Sequence, residues 1–127
     1  MDLVNKKNIV ILVVIIIVAI GGYFWWSESQ KPGALDDFAK CLNDKGLKFY
    51  GAFWCPHCQN QKKLFSNSVK YLPYIECSTP DGNNQLQVCN DANIQGYPTW
   101  EFPDKSRQQG EMTLKELADK SGCQLPN

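Results

Sequence analysis

The chain has 127 residues, and its 13 Lys and Arg are balanced by 13 Asp and Glu. A zero net charge argues against nucleic acid or a strongly acidic molecule as the partner, because both need a basic surface. Six cysteines in so short a chain point instead to disulfide chemistry.

The N-terminal part of the sequence predicts a membrane helix. Residues 9–26 carry no charge, and eighteen helical residues at about 1.5 Å each span roughly 27 Å, close to the thickness of a bilayer's hydrocarbon core. Lys6 and Lys7 precede this run, and four aromatic residues close it, as expected at the two membrane interfaces. We therefore predict a cytoplasmic N-terminus over 1–8, a single-pass anchor in the cytoplasmic membrane over 9–26, and the remaining chain outside.

A cleaved signal peptide is the alternative, because Lys6 and Lys7 could form its charged region. The only pair of small residues at cleavage spacing, Ala19 and Gly21, lies inside the apolar run, which favours the anchor. Under both interpretations, the rest of the chain is exported.

Residues 27–34 are polar and include Pro32 and Gly33, which predicts a linker. Residues 35–127 are sufficient for one small domain. With ten Lys and Arg against eleven Asp and Glu, this domain is also nearly neutral.

The first half of the domain predicts alternating helix and strand. A helix begins near Leu35 and is stopped by Gly46, and an aromatic-rich strand follows over 47–53. The pattern then predicts a helix over 55–69 and a short strand over 71–77.

The second half continues the alternation after a polar loop. It predicts a short helix over 85–93, a strand over 99–102 and a polar hairpin region over 104–110. The sequence from Thr113 to Glu116 has the form of a capping box, which opens a last helix ending near Gly122. This order predicts an α/β domain with a mixed sheet.

Cys55 and Cys58 are separated by two residues where a predicted strand meets a predicted helix. The unpaired N–H groups of a helix start favour a thiolate at the first cysteine, and the second, one turn on, can resolve a mixed disulfide. A zinc site would need two further ligands at suitable spacing, yet His57 is the only histidine and there is no second C-x-x-C. We therefore predict a redox pair, with no metal and no cofactor beyond the redox-active disulfide.

The stretch 49–58 (FYGAFWCPHC), with Cys77, Cys89 and the run 96–100 (GYPTW), resembles the thioredoxin-fold domain fused to bacterial and plant vitamin K epoxide reductase homologues. The resemblance covers most of residues 38–122. The C-P-H-C tetrapeptide is also similar to that of periplasmic disulfide oxidases of the DsbA type.

This resemblance implies a thioredoxin fold, with Cys55 as nucleophile, Cys58 as resolving thiol and Pro98 as a cis-proline facing them. It also implies that electrons pass from thiols of exported proteins, through this domain, to a membrane quinone reductase of the vitamin K epoxide reductase family. We expect that reductase to be a separate chain. Thioredoxin carries a buried Asp where this sequence has Phe49, which makes a thioredoxin-like reductive role less expected.

Five residues around the pair are predicted to assist it. Pro56 and His57 lie between the cysteines and, with Pro98, are expected to modulate the redox potential; His57 can add a hydrogen-bond donor or a positive charge. An ordinary trans bond before Pro98 is the alternative to the cis form. Trp54 and Tyr97 flank the pair and are predicted to form an apolar platform for unfolded substrates, although Trp54 could serve packing alone.

Four cysteines remain. The resemblance implies a structural disulfide between Cys77 and Cys89, with a second redox pair as the alternative. By elimination Cys41 and Cys123 form another bridge that ties the ends of the domain together, and two free thiols or an intermolecular bond remain open.

The sequence thus predicts an exported enzyme that forms disulfides. One alternative is a reductive protein that maintains cytochrome or other exported thiols. Another is a non-catalytic module that carries a metal or holds partners through mixed disulfides.

Overall fold

The structure, a computed structural model, describes residues 6–29 and 31–126. Residues 1–5 of the predicted cytoplasmic segment, Gln30 of the predicted linker and the terminal Asn127 lie outside the described residues. The chain divides into two units, residues 1–31 and residues 32–127.

The first unit contains one helix, α1 (Lys6–Ser29), within its described residues. This helix is long and apolar enough to cross a membrane. It continues to Ser29, so the segment 27–34 predicted as a linker begins as helix. Pro32 follows shortly after its end, and a proline disfavours helical backbone in the residue before it.

The second unit alternates helices with short strands. In chain order its described elements are α2 (Asp36–Asp44), β1 (Lys48–Gly51), α3 (Pro56–Lys63), a 3₁₀ helix (Ser66–Tyr71), β2 (Tyr74–Glu76), α4 (Gln87–Asp91), β3 (Thr99–Glu101), β4 (Arg107–Gln109) and α5 (Leu114–Ser121).

The four strands form one sheet in the order β2–β1–β3–β4. β1 pairs in parallel with β2 and antiparallel with β3, and β3 pairs antiparallel with β4. The sheet is therefore mixed and flanked by helices, which confirms the predicted thioredoxin fold.

Successive side chains of β1 enter different cores, because a strand's side chains alternate between the faces of its sheet. Phe49 packs in the larger core, where its ring stacks on Trp100 of β3 with centroids 4.6 Å apart. The next residue, Tyr50, packs in a smaller core with Cys77 and Cys89. The strand that leads to Cys55 is thus covered on both sides.

The predicted helix over 55–69 is wrong in its second half. α3 ends at Lys63, and the 3₁₀ helix begins at Ser66, which has a positive φ of 47°. The break lets Phe65 enter the core, where it is buried and stacks on Phe38 of α2 at 6.0 Å. Tertiary packing therefore overrides the local helical pattern at this point.

The predicted capping box is confirmed at the start of α5. The backbone N–H of Glu116 donates to Thr113 Oγ1 at 3.2 Å, and the backbone N–H of Thr113 donates to Glu116 Oε2 at 2.8 Å. Gly122 closes the helix with a φ of 71°, a left-handed conformation that suits glycine.

Candidate active site

Cys55 lies at the point where β1 gives way to α3. The strand ends at Gly51, and the backbone N–H of Cys55 donates to the Ala52 carbonyl at 3.0 Å, which closes a tight turn. Cys55 is the N-cap of α3, and Pro56 is its first residue, a position that needs no N–H. The free N–H groups of the helix start therefore lie next to the Cys55 side chain.

Cys58 lies one turn further along α3, and both cysteines are free thiols. Cys55 is 6% exposed and Cys58 is 0% exposed. Burial above all, with a smaller contribution from the neighbouring Cys55, raises the pKa of the Cys58 thiol from 9.0 to about 12. Cys58 therefore keeps its proton at neutral pH unless a neighbouring group takes it.

The loop before β3 faces the first cysteine. The peptide bond between Tyr97 and Pro98 is cis, and Cys55 Sγ donates to the Tyr97 carbonyl oxygen at 3.8 Å. Pro98 is fully buried, whereas Tyr97 is partly exposed. The residues predicted to face the pair are thus brought to it by the fold.

An exposed aromatic surface adjoins Cys55. Trp54 is 49% exposed and meets the Tyr97 ring edge to face at 6.1 Å, while its Nε1 donates to Ser78 Oγ at 2.9 Å. The structure adds Phe53, which the sequence placed inside a strand. Because β1 already ends at Gly51, Phe53 lies in the turn and is 47% exposed.

His57 has a partner that the sequence did not indicate. Its Nδ1 lies 2.6 Å from Glu111 Oε1, on a segment 54 positions further along the chain. The hydrogen bond to His57 lowers the pKa of the Glu111 carboxyl. Gln61 fixes that segment, because its side-chain amide both donates to and accepts from the backbone of Met112, at 2.9 and 2.7 Å. Glu111 therefore fixes the exposed imidazole of His57 by a hydrogen bond.

Glu76 is a second carboxylate that the sequence did not single out. Its Oε1 accepts backbone N–H groups from Phe53 at 3.2 Å and from Ser78 at 2.9 Å. The first of these donors lies in the turn that carries Cys55. Glu76, the last residue of β2, thus ties this turn to the neighbouring strand.

The other four cysteines form two disulfides. Cys77 pairs with Cys89 across 12 positions, with Cα atoms 5.5 Å apart. Cys41 of α2 pairs with Cys123, which follows α5, across 82 positions and with Cα atoms 5.9 Å apart. Of the alternatives that the sequence left open for Cys41 and Cys123, the structure holds the intramolecular bridge.

Across residues 6–29 and 31–126, no group of three or more His, Cys, Asp and Glu side chains is placed to hold a metal ion.

The chain matches a known protein family and is similar to known proteins. The thioredoxin family profile matches residues 35–120. The thiol-disulfide oxidoreductase LTO1 of Arabidopsis thaliana is 46% identical over 104 residues, which cover 78% of this chain and 27% of LTO1. The thioredoxin domain-containing protein 5 homolog of Drosophila melanogaster is 33% identical over 85 residues, 56% of this chain and 19% of the relative. The chain thus spans about a quarter or less of the length of these relatives.

Proposed function

The chain belongs to the thioredoxin family, and we propose that it is a membrane-anchored thiol–disulfide oxidoreductase whose redox pair is Cys55 and Cys58. In this proposal, the fold of the second unit positions these two sulfur atoms at the start of α3.

One observation carries this proposal: the fold sorts the six cysteines into two classes. Four are joined in two disulfides, while Cys55 and Cys58 are free and share the first turn of α3. A cysteine pair at a helix N-terminus is suited to thiol–disulfide exchange, because the first sulfur is stabilised as the attacking or departing thiolate.

In the disulfide-forming direction the exchange takes two steps. A substrate thiolate attacks Cys55 Sγ of the Cys55–Cys58 disulfide, and Cys58 departs with the electron pair of the broken bond. A second substrate thiolate then attacks the substrate sulfur bound to Cys55 and releases Cys55 as a thiolate. The substrate gains a disulfide, and the pair has taken up two electrons.

The aromatic surface of Phe53, Trp54 and Tyr97 supplies a place for the substrate. Its side chains are partly exposed and adjoin Cys55, so an unfolded chain with apolar side chains can lie across them while its cysteine reacts. This favours exported proteins with free thiols as substrates over small thiols, which need no such surface.

We further propose that the domain lies outside the cytoplasmic membrane and is re-oxidised by a membrane quinone reductase of the vitamin K epoxide reductase type. Lys6 and Lys7 at the start of α1 support this orientation, and the two structural disulfides fit an oxidising compartment. The C-P-H-C motif and the aromatic run before it support this class of partner.

Trapping of mixed disulfides tests the redox pair. Full-length Cys58→Ala cannot resolve a mixed disulfide, so it should accumulate substrate proteins linked to Cys55, visible as reductant-sensitive bands on non-reducing gels. Cys55→Ala and the double variant Cys55→Ala/Cys58→Ala should trap none. If Cys55→Ala trapped substrates and Cys58→Ala did not, the roles of the two cysteines would be reversed.

A further inference from the structure

The loop 78–85, which lies between β2 and α4, borders the aromatic surface of the candidate active site. Its two ends are held together, because Ser78 and Gln85 form an antiparallel bridge and the flanking Cys77 and Cys89 are joined by a disulfide. The contacts that this closed loop makes with the aromatic surface suggest a part in substrate recognition.

Trp54 is held by the loop at two points. Its indole Nε1 donates to Ser78 Oγ at 2.9 Å, and the Ser78 hydroxyl in turn donates to the Thr79 carbonyl at 3.0 Å. A Cβ built on Gly82 would lie 3.6 Å from Trp54 Cδ1, so the backbone of the loop packs against the same indole. Ser78 is 3% exposed. A buried hydroxyl thus fixes the orientation of an exposed ring.

The other two aromatic side chains meet the same loop. Burial raises the pKa of the Tyr97 phenol, and a hydrogen bond from the side chain of Gln85 acts in the opposite direction. Gln85 Nε2 also donates to the Ile94 carbonyl at 3.0 Å, which fixes its amide. On the other side, a Cβ built on Gly82 would lie 3.9 Å from Cζ of the Phe53 ring. All three rings of the aromatic surface are therefore in contact with the loop.

The loop holds these rings without covering them. Phe53 remains 47% exposed and Trp54 49% exposed, and Tyr97 is also partly exposed. A side chain that rotates freely must be ordered when a ligand binds, and this ordering weakens binding; a side chain that is already held in place avoids that loss. The surface beside Cys55 is thus prepared for a ligand with a large apolar side chain.

We propose that the loop 78–85 selects the substrate of the redox pair, with Ser78 and Gln85 as the residues that position the aromatic surface. The ligand is an extended segment of an unfolded protein that carries a large apolar side chain next to its reacting cysteine. This inference rests on the proposed function of Cys55 and Cys58 as the redox pair. Ser78 and Gln85 act through the rings and take no part in the exchange of the disulfide.

Two synthetic peptides test this selection. Each carries two cysteines separated by a flexible segment; in one peptide phenylalanine follows each cysteine, and in the other serine takes its place. The oxidised full-length protein in detergent is mixed with an excess of reduced peptide, quenched with acid, and analysed by mass for the oxidised peptide. Varying the peptide concentration gives the half-saturating concentration and the maximal rate. Glutathione, whose cysteine has no apolar neighbour, is the reference thiol.

The wild-type protein should prefer the phenylalanine peptide, with a half-saturating concentration about tenfold lower than for the serine peptide. Ser78→Ala and Gln85→Leu should lose most of this preference, because the rings are no longer held in place. The loss should come from a higher half-saturating concentration of the phenylalanine peptide. The maximal rate and the reaction with glutathione should remain as in the wild type, because the two sulfur atoms are unchanged.

A double-mutant cycle shows whether Ser78 acts through Trp54. Trp54→Phe keeps an aromatic ring but removes the indole N–H that donates to Ser78. Ser78→Ala should therefore have little further effect on the peptide preference in the Trp54→Phe background, since both variants remove the same contact. Ser78→Thr keeps the hydroxyl and should keep the preference. Additive effects of Ser78→Ala and Trp54→Phe would contradict the positioning role.

Matched controls carry the same substitutions at exposed positions on another part of the domain: Ser106→Ala, just before β4, and Gln108→Leu within it. Both should keep the wild-type preference. If Ser78→Ala does not fold, Gln85→Leu tests the same loop through Tyr97.

Three results would overturn this inference: no preference in the wild type, a wild-type preference in the loop variants, or an equal loss of reaction with both peptides and with glutathione. A wild-type protein that oxidises neither peptide nor glutathione would instead overturn the proposed function.

Discussion

Cys55 and Cys58 are both nearly buried, yet their sulfur atoms meet different surroundings. Cys55 is the N-cap of α3 and retains 6% exposure, whereas Cys58 is fully buried with a pKa raised to about 12. We expect a small alkylating reagent near pH 7 to modify Cys55 in the reduced protein and to leave Cys58 unmodified. Peptide mass mapping checks this, with Cys58→Ala labelled as fast as wild type and Cys55→Ala hardly labelled.

The raised pKa of Cys58 also predicts how stability depends on pH. In the unfolded chain this thiol loses its proton above about pH 9, whereas in the folded protein it keeps the proton up to a pKa of about 12. Unfolding therefore releases a proton in this window, and the free energy of unfolding that Cys58 contributes is fully present below pH 9 and is lost as the pH rises towards 12.

The oxidised protein is the natural reference for this effect, because its Cys55–Cys58 disulfide has no thiol to titrate. Urea unfolding of the reduced and oxidised forms from pH 8 to pH 11 should show the reduced form losing stability relative to the oxidised one. Equal pH slopes for the two forms would contradict the burial of the Cys58 thiol.

Individual residues also show which parts of the site a single sequence cannot predict. The positions of Cys55, Cys58 and Pro98 carry local signals, a fixed spacing or a family motif, so the sequence singled them out. Glu111 and Glu76 do not, because each is brought to the site by pairing between segments far apart in the chain. A carboxylate whose partner is defined only by tertiary contact has no signature in a single sequence.

Each of the two disulfides links a helix to a second segment of the domain, α4 to the end of β2 and α2 to the residues after α5. Cys77 directly follows β2 and Cys89 lies in α4, so their bond closes the polar loop between these elements. Closing a loop of about a dozen residues stabilises a fold by roughly 2–3 kcal/mol in the chain-entropy model. Structural bridges of this kind have reduction potentials below about –300 mV.

Graded reduction should therefore separate the disulfides. We expect mass mapping to show Cys55–Cys58 fully reduced at reductant levels that leave Cys77–Cys89 and Cys41–Cys123 intact. Simultaneous reduction of Cys55–Cys58 and Cys77–Cys89 would support an electron relay between the two pairs.

For the helices and strands, the sequence predicts their order better than the residues at which they begin and end. Period-two and helical patterns placed the α-helices and β1 to β3 of the second unit in the right order, because these patterns follow from burial on one face. The 3₁₀ helix was not predicted, and β4 was predicted only as part of a polar hairpin region. The helix predicted over 55–69 was too long, since only the packed core reveals that Phe65 must turn inward against Phe38. The strand over 47–53 was too long for a similar reason: its last residues turn away to place Cys55.

For the whole molecule, the orientation of α1 decides which compartment the redox pair meets. Lys6 and Lys7 at its start favour the cytoplasmic side for the N-terminus. A reporter enzyme that is active only after export, fused behind Asn127, should therefore be active. A matched fusion to Lys6→Glu/Lys7→Glu, which removes the positive charges, should lose part of this activity. An inactive fusion with an intact full-length product would contradict the proposed topology.

The reduction potential decides whether the whole molecule forms or reduces disulfides. We expect the position of Cys55 at the start of α3, with His57 two residues on, to favour the reduced form, which makes the disulfide a good oxidant. We expect a potential well above that of thioredoxin, roughly –270 mV, and nearer those of protein disulfide isomerase and DsbA, about –180 to –120 mV. Equilibration with glutathione buffers, followed by alkylation of Cys55, measures it.

A histidine variant tests the physical reason for that potential. His57→Ala removes a donor and a potential positive charge beside Cys55, so the reduced form loses stabilisation and the potential should fall, with each ~30 mV corresponding to about 1.4 kcal/mol. Lys63→Ala, exposed on the same helix but at its far end, should leave it within a few millivolts of wild type. A wild-type value at or below thioredoxin's would mean that the protein donates electrons to its substrates, and the reductive role in maintaining exported thiols would replace the oxidative one.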